Sequence, residues 1–219
     1  MAGFLKSLFG SKKEQINTRH LTHPRDLAVG DLVKFKLFTP APLAGDTFKI
    51  EEINTYDYKS GKESEFVLKG TGKHTLFMAV DESDDEVELR LSIKMPRTTV
   101  EQLFDLDQFS GIFDAEQAIR LERIGDPNSF DGEWSWLTNW TAPFYTQNSK
   151  AVRGYYHKGD YRKKVLPNST DGCDELDYYS LISDDEKKYI EIEVFDGDTD
   201  VMATLLLDEN DIEEMWPAT

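Results

Sequence analysis

The chain carries one pattern of apolar residues twice, and this repeat constrains its fold more than any other feature. Each copy has seven positions, and each position of the second copy lies 114 residues after its counterpart. The first copy is Leu76, Met78, Val80, Val87, Leu89, Leu91 and Ile93, and the second is Ile190, Ile192, Val194, Val201, Ala203, Leu205 and Leu207. The alternation within each copy is typical of strands with one buried face. The repeat therefore predicts two related β-hairpins.

A matching segment follows each hairpin at an offset of 112 residues. Thr98 with Glu101, and Asn210 with Glu213, have the spacing of a helix-capping box, and apolar residues follow at helical intervals. We therefore expect a mainly β (α+β) fold of two tandem related units. Each unit would be an antiparallel sheet or small open barrel closed by a C-terminal helix, the second ending by Pro217.

The predicted organisation has three parts: a flexible basic leader over residues 1–23, a first β-rich unit over 24–110, and a second over 111–219. The second unit contains an inserted aromatic-basic segment. Within residues 111–130, the pattern is compatible with a helix through Ala118-Ile119 and also with a strand in which Ile119 and Leu121 alternate with Arg120 and Glu122.

The first unit has further strand signals ahead of its hairpin. Residues 33–37 alternate between apolar residues and lysines, and a second strand is predicted over 48–58. Its apolar phase shifts at Glu51-Glu52, which indicates a bulge. A Lys-Ser-Gly turn leads to a third strand at 65–69. The second unit shows strands at 178–182, 189–194 and 201–207, but residues 130–171 lack a counterpart of the first unit's opening strands.

Charge and composition restrict the partners. The net charge of −17 disfavours nucleic acid and anionic lipid at long range and favours basic protein partners. The single cysteine, Cys173, suits a reducing cytosol, and no apolar run approaches the ~18 residues of a membrane span. We therefore expect a cytoplasmic protein.

The N-terminal segment differs from the acidic remainder, since residues 1–25 carry a formal charge of +4. Phe4, Leu5, Leu8 and Phe9 fall on one face of a short helix. Residues 1–13 could make a weak peripheral contact with the inner membrane, or they could form a frayed leader that packs loosely on the body.

The strongest candidate binding segment runs from Trp134 to Lys164, where aromatic and basic residues are interleaved. The candidate binding residues are Trp134, Trp136, Tyr155, Tyr156, His157, Tyr161, Arg162, Lys163 and Lys164. Such a segment can form a peptide-binding surface or stack on single-stranded nucleic acid, although the overall charge opposes the latter. Alternatively, the rings fill a core while the cations pair with the protein's own carboxylates.

Catalytic and metal signals are weaker. Asp196, Asp198 and Asp200 resemble the opening of a calcium loop, but Val201 and Leu207 occupy the positions where an EF-hand needs glycine and a carboxylate. We therefore predict no metal site and no cofactor. An acid/base pair of His157 and Asp160 in a cleft of the second unit supports the alternative of a small-molecule-binding or hydrolytic enzyme.

Three short segments are similar to a known family. Tyr155 to Arg162 (YYHKGDYR), Asp211 to Pro217 (DIEEMWP) and Leu27 to Asp31 (LAVGD) resemble a bacterial family of uncharacterised acidic cytoplasmic proteins. That family is encoded near phage-shock-type envelope-stress proteins, so the resemblance implies an accessory role in stress response rather than catalysis. We therefore expect a non-enzymatic binding or adaptor protein that acts through the aromatic-basic segment or the groove between the units.

Overall fold

A computed structural model describes residues 19–83, 86–114, 118–130, 134–167 and 172–218. The membrane contact predicted for residues 1–13 lies outside the described residues. The strands are β1 (Leu32–Phe35), β2 (Thr47–Tyr58), β3 (Gly61–Lys69), β4 (Thr75–Ser83), β5 (Glu86–Lys94), β6 (Arg120–Glu122), β7 (Phe144–His157), β8 (Cys173–Ser183), β9 (Lys188–Phe195), β10 (Asp198–Asp208) and β11 (Ile212–Trp216). The α-helices are α1 (Arg97–Leu103) and α2 (Leu106–Asp114).

All eleven strands form one antiparallel sheet, so the prediction of a mainly β protein is confirmed. The order is β11-β1-β2-β3-β4-β5-β10-β9-β8-β7-β6. Strands from both predicted units are therefore hydrogen-bonded into a single sheet rather than into two.

The sheet closes on itself because the end of β2 also pairs with the end of β7, where Thr55 lies opposite His157. Eight strands, β2 to β5 and β7 to β10, thus form a closed circuit, hereafter the ring. The two hairpins of the sequence repeat, β4–β5 and β9–β10, meet side by side in it. Leu91 lies directly opposite Leu205, its own counterpart in the repeat.

The two faces of the ring strands have different chemistry. On β5, Leu89, Leu91 and Ile93 are buried in the hydrophobic core, which also receives apolar side chains from α1 and α2. The alternate residues, Arg90 and Ser92, point to the other face because successive side chains of a strand alternate. On β5, the polar face of the ring is therefore formed by the residues that alternate with the apolar residues of the repeat.

Several local predictions for the first unit are confirmed. Strand β2 covers the predicted residues, and its register with β3 shifts between Ile50 and Glu52, where the bulge was expected. The turn between β2 and β3 consists of two residues, since Tyr58 pairs with Gly61. Helix α1 follows the first hairpin as predicted, but Pro96 is its N-cap and the Thr98 side chain makes no capping hydrogen bond.

The prediction of a C-terminal helix is wrong. Asp208 and Asp211 form a reciprocal capping box around a single 3₁₀ turn, Glu209–Asp211. The chain then extends as β11, and Met215 and Trp216 pair with Val33 and Leu32 of β1. Five residues cannot offset the cost of nucleating a helix, whereas β1 offers a ready line of backbone hydrogen-bonding groups.

In the connection that precedes β7, Ala118 and Ile119 are not helical, so of the two alternatives for this stretch the structure agrees better with the strand. Helix α2 lies at 106–114, and the short strand β6 at 120–122 pairs with β7. Strand β7 lies where the sequence gave no strand signal, and it occupies the middle of the aromatic-basic segment. Its pairing with β8 closes the second half of the ring.

Candidate functional site

The ring encloses a cavity of about 200 Å³, and side chains from all eight of its strands contribute to the walls. Contacts across the ring confirm that the polar face points inward. Arg90 of β5 forms an ion pair with Glu63 of β3, and Tyr56 of β2 reaches Glu193 of β9. Neither pair belongs to neighbouring strands. The interior of this ring is therefore lined by charged and phenolic groups.

The centre of the interior is a triad of Glu65, Tyr56 and Glu193. The Tyr56 hydroxyl lies 3.1 Å from Glu193 Oε2 and 3.4 Å from Glu65 Oε2. The other oxygen of Glu65, Oε1, accepts a hydrogen bond of 3.1 Å from the Asn54 side-chain amide. Two carboxyl groups from different strands thus share one hydroxyl in the middle of the ring.

Burial changes the acidity of the triad. It raises the pKa of Glu193 from 4.5 to about 8, and the nearby Glu65 charge adds to this effect. Burial also raises the pKa of Glu65, although the Asn54 hydrogen bond opposes the shift. The pKa of Tyr56 is raised well above 10 for the same reason. Burial and the charge of Glu65 thus both favour the neutral form of Glu193.

Arg90 balances the charge at one end of the cavity. Besides Glu63, its guanidinium group lies 3.8 Å from Glu191. The Glu191 carboxylate accepts hydrogen bonds from Tyr178 at 2.6 Å, Ser92 at 3.1 Å and Thr204 at 2.6 Å. The charged groups at this end already have partners within the fold. A further space of about 500 Å³ adjoins this end, since Tyr58, Ser60 and Glu63 line both.

The other end opens into a larger space of about 620 Å³, which adjoins the interior because Tyr56, Glu65, Phe77 and Glu193 line both. We call this space the acidic mouth. Its further carboxyl groups are Asp174, Glu175, Asp196, Asp198 and Asp200. Among the described residues lining it, Lys94 is the one cation, and its ammonium group lies 2.5 Å from Asp200.

Aromatic rings complete the acidic mouth. Phe77, Tyr156 and Phe195 line it, and the rings of Tyr156 and Phe195 meet edge to face at 6.4 Å. Tyr156 is the member of the predicted binding set that lines this site. Carboxylates combined with aromatic faces are the usual environment for organic ammonium groups.

The predicted tryptophans lie elsewhere. Trp134 and Trp136 are half-buried against the hydrophobic core, with the His74 ring 4.6 Å and 5.4 Å from theirs. Trp136 also contacts the buried Trp140. The tryptophans lie near the beginning of β2. The basic part of the segment follows β7, and β7 pairs with the opposite end of β2. The structure therefore separates the predicted binding residues into two groups.

The basic residues of the segment are anchored unequally. Arg162 donates to Asp160 at 2.7 Å and to the Arg25 carbonyl at 2.6 Å, so its guanidinium group is held within the fold. Lys163 and Lys164 are exposed, and neither ammonium group forms an ion pair with a described residue. These two lysines, together with Arg162, line a cleft of about 460 Å³ beside the end of the leader.

The predicted acid/base pair is not arranged as a pair. His157 is buried, and its ring packs against Tyr161 with centroids 5.8 Å apart. Asp160 accepts two side-chain hydrogen bonds from Arg162, and this contact lowers the pKa of the carboxyl group. Tyr155 is half-buried on β7, opposite Asp57. The geometry thus gives Asp160 a structural partner other than His157.

Comparison with protein-family models, curated proteins and solved structures gives no match to this chain. The family resemblance of the three short segments therefore stays a prediction. Within the described ranges, no helix combines the length and apolar character needed to cross a bilayer. In the same ranges, no group of three or more His, Cys, Asp or Glu side chains is arranged to hold a metal ion.

Proposed function

We propose that the protein is a non-enzymatic binding protein whose ligand is a linear aliphatic polyamine held in the acidic mouth and the ring interior. The observation that carries this proposal is the excess of carboxyl groups at the mouth, where seven line the space. Asp200 pairs with Lys94 and Glu175 with Arg153, whereas Asp174, Asp196 and Asp198 have no ion-pair partner among the described residues. A bound polycation would neutralise this excess. The groove between the predicted units thereby becomes the binding site.

The position of each ammonium group follows from the chemistry of the walls. Glu65 and Tyr56 offer acceptor oxygens to an ammonium group at the inner end. A charge-assisted hydrogen bond of this kind contributes about 1.5–3 kcal/mol. The second ammonium group would lie among the carboxylates of the mouth, and the methylene chain between them would pass the rings of Phe77, Tyr156 and Phe195.

The charge at the Arg90 end of the cavity limits how far such a ligand enters. Arg90 would repel an ammonium group, and the Glu191 carboxylate already receives three hydroxyl hydrogen bonds. The carboxyl groups without an ion-pair partner among the described residues are therefore Glu65 and Glu193 in the interior and Asp174, Asp196 and Asp198 at the mouth. This arrangement favours an elongated cation over a compact one.

Isothermal titration calorimetry with spermidine tests the proposal. We expect one binding site in the wild-type protein, and Glu65→Gln should weaken binding by about ten- to a hundredfold, the equivalent of one charged hydrogen bond. Glu122→Gln is the matched control because Glu122 is exposed on β6. Equal weakening by both variants would indicate non-specific attraction to the acidic surface, and the absence of binding would reject the proposal.

A second candidate function is adaptor binding through the basic part of the aromatic-basic segment. It is supported by Lys163 and Lys164, which project from a strongly acidic protein without an ion-pair partner among the described residues. An acidic protein surface would complement them. Affinity capture from bacterial lysate with the Lys163→Ala/Lys164→Ala double variant as comparison tests this candidate, which fails if the same partners are captured.

We also propose that β2–β5 and β7–β10 are two related four-stranded units. The sequence offset of 114 residues and the position of Leu91 opposite Leu205 support this interpretation. A cytoplasmic setting close to the inner membrane, in the bacterial envelope-stress response, remains part of the proposal on the strength of the family resemblance and the basic leader alone.

A further inference from the structure

In the Glu65–Tyr56–Glu193 triad, the Tyr56 hydroxyl contacts two carboxyl oxygens but has one proton to donate. The phenolic oxygen lies within 3.4 Å of one carboxyl oxygen on each side. Each oxygen–oxygen contact of this length needs a proton between the two atoms to be attractive. Tyr56 supplies one proton, so the second contact requires a proton on one of the carboxyl groups.

The surrounding contacts decide which carboxyl group carries it. The Asn54 amide donates to Glu65, and hydrogen bonding to the charged form of a carboxyl group favours ionisation. Among the described residues, Tyr56 is the one side chain that hydrogen-bonds to Glu193, and Glu193 is 6% exposed. The extra proton therefore belongs on Glu193, which can donate it to Tyr56 while Tyr56 donates to Glu65.

The charged and titratable groups around Glu193 do not offset this need for a proton. They are Tyr56 and Tyr58 from β2, Glu65 from β3, Lys94 from β5, Tyr156 from β7, Asp174 from β8, Glu191 from β9 and Asp200 from β10. The nearby cations are Lys94 and Arg90, both from β5, and they already pair with Asp200 and Glu63 respectively. The field at Glu193 is therefore negative and favours the neutral acid.

We propose that the triad holds one exchangeable proton when it is empty and releases that proton to solvent when an ammonium group binds. This inference rests on the proposed polyamine function. The balance is one proton out for one cation in: the carboxylic acid of Glu193 loses its proton and the resulting carboxylate pairs with the ammonium group. The amine itself stays protonated, since aliphatic amines titrate near pH 10 (about 10.4 for lysine).

Proton release makes binding depend on pH. Below the pKa of Glu193 each unit of pH should change the apparent affinity by up to about tenfold, because deprotonation precedes or accompanies binding. Spermidine should thus bind more tightly as the pH rises from about 6 to 8 and then reach a plateau.

Calorimetry in two buffers measures the released proton directly. Spermidine is titrated near neutral pH into the full chain in phosphate and in Tris, whose ionisation enthalpies differ, and the difference in heat gives the protons released per ligand. We expect about one proton for the wild type and for Glu122→Gln, and none for Glu193→Gln. Binding with equal heat in both buffers would overturn the exchange and leave the polyamine proposal standing.

Infrared spectroscopy of the empty protein gives a readout without ligand. A protonated carboxyl band should be present near neutral pH in the wild type and lost in Glu193→Gln but not in Glu122→Gln. If the band is missing from the wild type, the inference is wrong, whether or not spermidine binds. If the band is present and spermidine fails to bind, the proton is retained by the triad, and the exchange falls together with the proposed function.

Discussion

Replacing Glu193 with glutamine should stabilise the folded protein at neutral pH. In the wild type, burial and the charge of Glu65 raise the pKa of Glu193 from 4.5 to about 8, so folding at neutral pH requires uptake of a proton that the unfolded chain does not hold. Glutamine has nearly the same shape and needs no proton. The variant removes this cost while keeping a hydrogen-bonding group beside Tyr56.

The magnitude follows from linkage. Because the folded state binds the proton more tightly, the free energy of unfolding is greatest below pH 4.5 and falls as the pH rises to about 8. The loss is about 1.4 kcal/mol for each pH unit in this window, or roughly 3 kcal/mol at pH 7. For a chain of this size the gain in the variant corresponds to a melting temperature about 6–12 °C higher.

Urea denaturation near neutral pH and near pH 5, with Glu122→Gln as control, tests this reasoning. The gain in the free energy of unfolding should fall below about 1 kcal/mol near pH 5, because there the uptake of a proton on folding costs the wild type much less free energy. The control should match the wild type at both values. A gain that is independent of pH, or a loss of stability at neutral pH, would show that Glu193 is not a neutral acid in the fold.

Two further predictions concern side-chain anchoring and close packing. Arg162→Ala should lower the free energy of unfolding by about 1.5–3 kcal/mol because it removes charged hydrogen bonds, whereas replacing Lys163 and Lys164 together should leave the urea midpoint unchanged. A fully stable Arg162→Ala variant would contradict the anchoring role. Gly125→Ala should cost about 3 kcal/mol or more, because its Cβ would lie 1.9 Å from a carbonyl oxygen of α1, while Gly72→Ala, with open space around it, should melt with the wild type.

The local elements of the fold could be predicted because their signals are local. The apolar alternation of both hairpins, the bulge in β2 and the start of α1 depend on residues that are close in sequence. Strand β7 gave no such signal. Its register with β8 shifts twice, between Gln147 and Ser149 and again before Val152, and Ala151 has a φ of 48°. Each shift resets the alternation, so no period of two extends along the strand.

The candidate site could not be predicted because it depends on closure of the ring. Glu191 and Glu193 alternate with the apolar residues of β9, a pattern that normally places the polar residues in solvent. Pairing of β5 with β10 and of β2 with β7 places them inside instead. Those pairings join distant segments, and their register is set by tertiary packing rather than by local propensity.

The basic segment illustrates the reverse case, in which sequence identified the residues but not their roles. Arg162 appeared equivalent to Lys163 and Lys164, since all three are adjacent cations. In the structure the carboxylate of Asp160 fixes the arginine, and the two lysines extend into solvent. A triple alanine replacement would therefore combine a folding defect with the loss of a surface, and the double lysine variant is the cleaner probe.

The two seams that close the ring have a consequence for synthesis on the ribosome. One seam pairs β2 with β7, where Thr55 lies opposite His157, and the other pairs β5 with β10, where Leu91 lies opposite Leu205. Each seam therefore joins residues roughly 100 positions apart in the sequence. At a synthesis rate of about 5–20 residues per second, the edge of β5 that faces β10 and the end of β2 stay unpaired for roughly 5–20 s after they are made. Unpaired edges readily join strands of other chains. The nascent first half is therefore the stage most exposed to aggregation, and charge repulsion gives it little protection, because residues 1–110 carry 15 Lys and Arg against 18 Asp and Glu, a formal charge of −3.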